Sequence, residues 1–186
     1  MDKKLKILAI PGSLRKGSYN KKLLNAAIEL KPDSLEIDVY ELNEIPMFNS
    51  DVEKEGIPDV VENFKQKIKE ADGILIAAPE YNFSITGALK NAIDWASRMP
   101  ATSPMLKKPV AIMGGSAGNG GTIRAQDHLR QILSHSNMMD MKRPGVYVTK
   151  IHEKFDENGK LTDEPLKAQL QKFMSSFENW IKIFNN

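Results

Sequence analysis

The sequence predicts an α/β protein built on a doubly wound parallel sheet. Three observations point there. Apolar runs of strand length alternate with helix-period segments along the chain. The runs at 5–10, 73–78 and 109–113 are almost wholly apolar, as strands buried on both faces of a parallel sheet are. The first of them empties into Gly12-Ser13-Leu14-Arg15-Lys16-Gly17-Ser18-Tyr19-Asn20, a donor-rich loop that leads into a helical pattern.

Each element follows from its local pattern. Residues 5–10 form the first strand, and 20–30 a helix with Leu23, Leu24, Ala27 and Ile28 on one face. Residues 35–42 alternate through Leu35, Ile37 and Val39, a half-buried strand near the sheet edge. Residues 43–58 are polar, contain Pro46 and Pro58, and read as a loop. Val60, Val61, Phe64 and Ile68 mark a helix, and 73–78 is the third strand. Residues 86–98 carry Leu89, Ala92, Ile93 and Ala96 at helical spacing. Trp95 falls off that face and suits a partner contact or the core equally. The fourth strand is 109–113, and the helix at 122–134 turns Leu129, Ile132 and Leu133 inward. Residues 145–149 make the fifth strand and 152–163 a polar excursion. Met138, Met139 and Met141 suit core or an adaptable surface equally. The last helix is amphipathic through Leu166, Leu170, Phe173, Phe177, Trp180, Ile181 and Phe184, a stripe that reads as packing. With no repeat or linker, residues 1–186 are expected to be a single domain.

Composition narrows the chemistry. A chain of 186 residues suits one well-buried domain, and 26 basic against 24 acidic residues argue against a large nucleic-acid surface. Cysteine is absent, which excludes disulfides, thiolate metal sites and cysteine nucleophiles. Any redox chemistry must then sit on a bound cofactor. His128, His135 and His152 are spaced as surface or packing residues, so no metal is expected. Met1-Asp2-Lys3-Lys4 lacks the apolar core of a signal peptide, and no run approaches membrane-spanning length. The expectation is a cytoplasmic protein with neither nucleic-acid nor membrane partners.

The loop at 12–20 has the make-up of an anion cradle. N–H groups at a helix start lack intrahelical partners and lie at the positive end of the dipole. Ser13, Ser18 and Asn20 add donors, and Arg15 adds a forked charge. The simpler reading makes Ser18 or Asn20 an N-cap and the glycines turn residues. A nucleoside-triphosphate loop needs Lys and then Ser or Thr after the second glycine, but Ser18 and Tyr19 stand there. One terminal monophosphate suits the loop better. Two strand orders remain plausible. The Rossmann order calls for Gly-x-Gly-x-x-Gly after the first strand, which residues 11–20 do not supply. A flavodoxin-like five-stranded parallel sheet of order 2-1-3-4-5, helices on both faces, predicts that the loops after strands one, three and four converge on one ligand. Those later loops are Pro79-Glu80-Tyr81-Asn82-Phe83-Ser84 and Gly114-Gly115-Ser116-Ala117-Gly118-Asn119-Gly120-Gly121. Tyr81 offers a flat surface with a polar tip, Asn82 can pair with ring carbonyl and imide groups, and the glycines let backbone approach a planar ligand.

Gly12-Ser13-Leu14-Arg15-x-x-Ser18-x-Asn20, with Pro79-Glu80-Tyr81-Asn82-x-Ser84-x-x-x-x-Leu89-Lys90-Asn91-Ala92-Ile93-Asp94-Trp95, resembles the NAD(P)H-dependent FMN reductase family. That family includes flavodoxin-like quinone, chromate and azo-dye reductases. The resemblance covers about residues 5–150. It implies that Ser13, Arg15, Ser18 and Asn20, with Leu14 among them, hold the phosphate of a bound FMN. It implies that Pro79, Glu80, Tyr81 and Asn82 line the isoalloxazine with Ser84 close by, and that Gly114, Gly115 and Ser116 close its other side. NAD(P)H would be co-substrate, a small oxidised molecule the acceptor, and no side chain a catalytic acid or base. The resemblance also implies a homodimer or homotetramer through helix 87–98. Two other readings stay open here: a flavodoxin-type electron carrier, which the slightly basic charge counts against, and a non-redox nucleotide-binding regulator.

Overall fold

The computed structural model describes residues 4–99 and 101–184. The expectation for Met1, Asp2 and Lys3 lies outside them. In chain order the elements are β1 (Leu5–Pro11), α1 (Tyr19–Glu29), β2 (Leu35–Val39), α2 (Ser50–Glu55), α3 (Asp59–Glu70), β3 (Gly73–Ala77), α4 (Gly87–Ala96), β4 (Pro109–Gly115), α5 (Ile123–His135), β5 (Met139–Asp140), β6 (Val146–Val148) and α6 (Glu164–Phe184). The sheet runs β2-β1-β3-β4-β5, with β6 also paired to β4, and every pairing is parallel. The expected order is therefore the one found.

Successive strand residues face opposite ways. Leu8, Ile10, Ile74 and Ile76 pack with residues of α3, α4 and α5, whereas Ile7, Ala9, Leu75 and Ala77 pack with α1 and α6. Both faces are thus covered by helices. Phe173 and Phe177 of α6 are fully buried, each contributing about 1.5–3 kcal/mol. Gly73 makes room for that helix, since a Cβ there would sit 2.7 Å from Ile181 Cδ1.

Three expectations need correction. The expected loop at 43–58 contains α2, capped by the Asn49 side chain accepting from the Asp51 N–H at 2.9 Å. Six residues with none buried leave no apolar face to read. The second strand ends at Val39, short of residue 42. The fifth strand is two pieces, β5 beside the start of β4 and β6 beside its end. Pro144, between them, has no N–H to give a ladder.

Two open choices also close. Trp95 is 1% exposed and donates its indole N–H to the Pro46 carbonyl at 2.8 Å, so it is core. Met138 and Met141 are buried too. The same helix face holds the segment before α2: Asn91 accepts from the Phe48 N–H at 2.7 Å and donates to Pro46 at 2.8 Å. Arg98 donates to Glu53 at 2.8 Å, and that hydrogen bond lowers the Glu53 carboxyl below its usual range. Among the described residues no helix is long and apolar enough to cross a membrane.

Candidate functional site

Parallel strands deliver their following loops to one edge of the sheet. The connections after β1, β3 and β4 meet there and enclose a cleft of about 220 Å³. Three polar side chains tie these loops together. Thr86, the N-cap of α4, donates its hydroxyl to the Gly12 carbonyl and accepts from the Leu89 N–H. Asn20 donates to the Gly115 carbonyl at 2.9 Å and accepts from the Gly115 N–H at 3.0 Å. Glu80 accepts from the N–H groups of Arg124 and Ala125, both at 3.1 Å, and so caps α5 from a different loop.

One end of the cleft offers unspent donors. Ser18 occupies the N-cap position of α1 in extended conformation, yet its side chain makes no cap bond and is 5% exposed. The first-turn N–H groups of α1 have no intrahelical carbonyl. Ser13, also buried, accepts from the Arg15 N–H at 3.3 Å. Arg15 is exposed, and among the described residues no carboxylate pairs with it. Hydroxyls, helix N–H groups and a free guanidinium at one place fit a phosphate group.

The other end is flatter. Tyr81 and Ser84 exchange backbone hydrogen bonds at 2.9 and 3.0 Å around Asn82 and Phe83, both with positive φ (51° and 64°). This tight turn leaves Tyr81 49% and Phe83 63% exposed, with the Arg124 guanidinium 4.3 Å from the Phe83 ring centre. Gly115 and Ser116 form the facing wall, secured by Ser116 N–H donating to Val148 and Ile151 N–H to Ser116. Glycine is required at 115, because a Cβ would strike Ile151 Cδ1 and Val148.

Of the residues singled out from sequence, Ser13, Arg15, Ser18 and Asn20 line the cleft, as do Pro79, Glu80 and Tyr81. Gly115 and Ser116 complete that set. Leu14, Asn82, Ser84 and Gly114 do not line it. Leu14 is exposed; Asn82 shapes the turn; Ser84 Oγ lies 3.1 Å from His128 Nδ1; Gly114 is wedged between Thr122 and the Ala78 carbonyl. Tyr19, Ala117 and Ile151 also line the cleft and were not singled out. Ile151 opens a short 3₁₀ turn where the sequence shows only the edge of a polar stretch. A larger hollow of about 320 Å³ lies toward the amino ends of the strands. There Lys67 pairs with Asp38 at 2.6 Å, and no helix start faces in. Among the described residues no His, Asp or Glu cluster could hold a metal.

Comparison with known proteins places this geometry. The sequence model of the NADPH-dependent FMN reductase family matches residues 5–153. The chain is 43% identical over 182 residues to an NAD(P)H-dependent FMN reductase of Pseudomonas aeruginosa, covering 98% of each. It is 39% identical to a 2-hydroxy-1,4-benzoquinone reductase of a Burkholderia species, covering 96% of this chain and 97% of that one. Among solved structures, FerB, a flavoenzyme NAD(P)H:(acceptor) oxidoreductase from Paracoccus denitrificans, superposes with a TM-score of 0.89. Identity is 34%, over 97% of this chain and 98% of that one.

Proposed function

This chain belongs to the NADPH-dependent FMN reductase family, and from that premise we propose how its own residues serve the reaction. The protein is an FMN-dependent oxidoreductase that passes hydride from NAD(P)H through FMN to quinone-type acceptors. The electron-carrier and regulator readings fall away with that membership. When bound, FMN supplies a ring that takes up hydride and gives electrons to an acceptor. The protein's task is to hold, orient and wall that ring, and no side chain is assigned as acid or base.

In our reading Ser13, Arg15, Ser18 and the start of α1 hold the FMN phosphate. Three charge-assisted hydrogen bonds at about 1.5–3 kcal/mol each approach the ~8 kcal/mol of micromolar affinity. Pro79, Glu80 and Tyr81 run along the ring and Gly115 and Ser116 form the other wall, while Asn82, Ser84, Gly114 and, in the phosphate loop, Leu14 support these segments from outside the cleft. The carrying observation is the unspent Ser18 hydroxyl and helix start in the same cleft as that glycine wall. Residues 1–186 act as one FMN-binding domain, since a single sheet supplies all three loops. The proposal includes a homodimer or homotetramer through helix 87–98. Its outward residues Gly87 and Lys90 would carry that contact, while Trp95 is already spent inside the chain. A cytoplasmic setting, free of membrane and nucleic acid, goes with a reaction fed by NAD(P)H.

The test is direct. Purified protein should be yellow, release FMN on heating, and consume NADH or NADPH when a quinone is added. Colourless protein that FMN does not reconstitute would refute the reading.

A further inference from the structure

Asn20 is the residue whose observed bonds differ most from a phosphate-binding role. Alternate residues of a strand send their N–H and C=O to opposite neighbours. Met113 of β4 faces β3, because its carbonyl accepts from the Ala78 N–H at 2.8 Å. Ser116 faces the other way, its N–H donating to the carbonyl of Val148 at the end of β6. Gly115 therefore points both its backbone groups toward β3. By that level β3 has ended at Ala77, and Pro79, which has no N–H, leads the chain away. A continuing strand would have met both groups. Instead the Asn20 amide does so, giving one N–H and one C=O just as a peptide would.

The pair is buried: Asn20 is 5% exposed, and Gly115 is packed against Val148 and Ile151 on its far side. We propose that Asn20 is a positioning residue that stands in for the missing rung of β3. It fixes the course of Gly115–Ser116 and so sets the wall on the ring side of the cleft. Its effect on flavin is then exerted at the ring, not at the phosphate. The consequence for flavin rests on the functional reading above; the bonds themselves do not.

Two independent readouts test it. Hydrogen exchange on flavin-free protein should show the Gly115 amide of Asn20→Ala exchanging at least about tenfold faster, with the α1 amides from Lys22 onward unchanged. Dissociation constants for FMN and for riboflavin, which lacks the phosphate, should rise together in this variant, by about ten- to a hundredfold. Arg15→Ala should weaken FMN alone. At saturating flavin, Asn20→Ala should also shift the flavin absorption band and Arg15→Ala should leave it in place. If Asn20→Ala does not fold, Asn20→Ser, which keeps a short polar side chain, is judged by the same measurements. Loss of FMN affinity with riboflavin unaffected would overturn the proposal. So would faster Gly115 exchange with both affinities and the spectrum intact, which would make the clamp purely structural. If wild-type protein binds neither flavin, it is the functional reading that fails, and unchanged Gly115 exchange would separately refute the clamp.

Discussion

Removing the Glu80 carboxylate should loosen α5 although Glu80 lies outside that helix. Its Oε2 receives two N–H groups of the first turn of α5, while Thr122, at the N-cap position, makes no side-chain cap bond. Losing an N-cap acceptor costs about 1–2 kcal/mol, and losing the anion at the helix start about 0.3–1 kcal/mol more. The Arg124 contact at 3.8 Å adds little, since that arginine is 55% exposed. A combined loss of about 1.3–3 kcal/mol in a chain of this size lowers the melting temperature by about 3–12 °C. Circular dichroism melts of flavin-free wild type, Glu80→Ala and Glu80→Gln measure it. Glu80→Gln keeps an acceptor oxygen and should lose less than half as much. A Glu80→Ala melting point within about 1 °C of wild type would refute the assignment of the cap. Equal losses in both variants would show that charge, not hydrogen bonding, carries the effect.

Arg15→Ala should raise the FMN dissociation constant about ten- to 150-fold and leave riboflavin within about twofold, read by fluorescence titration. Equal losses would mean Arg15 does not meet the phosphate. Thr86→Val keeps side-chain volume but removes the donor to Gly12 and the acceptor for Leu89, and should cost about 1–3 kcal/mol by urea unfolding, largely restored by Thr86→Ser. Asp163 accepts from Lys154 at 2.7 Å and from the Leu166 N–H at 2.9 Å, bonds that lower its carboxyl below the usual aspartate range. That stabilisation is fully present above the ordinary aspartate value and is lost as pH falls through the lowered folded one. Urea midpoints between about pH 2 and pH 6 should therefore fall with acid, less steeply in Asp163→Asn; parallel curves would contradict this.

Strands buried on both faces announce themselves, and β1, β3 and β4 were legible for that reason. So was the meeting of three loops, which follows from strand order. The division of labour among their polar residues was not. Asn20 reads as ligand-facing from the loop's composition and Glu80 from the family resemblance, yet each has its side chain committed to backbone groups, 95 residues away for Asn20 and 44 and 45 for Glu80. Such pairings are set by where strands stop, which local pattern does not encode. Ile151 was missed because an apolar residue at the edge of a polar stretch carries no periodic signal. Trp95 was undecidable because its partner Pro46 lies in a loop whose position only the tertiary fold defines.

The Tyr81–Ser84 turn has one further consequence. Two residues in succession with positive φ are most easily supplied by Asn-Gly, and the chain has Asn82 followed by Phe83. An aromatic residue in the left-handed region gives up about 1–2 kcal/mol. The exposed contact with Arg124 returns about 0.5–1 kcal/mol at most. Glycine at 83 would relieve that strain but lose the Arg124 contact and add about 0.4–1 kcal/mol of unfolded-chain entropy, leaving stability within about 1 kcal/mol of its present value. Folding alone is therefore nearly indifferent to that ring, and thermal melts of Phe83→Gly should stay within about 4 °C of wild type.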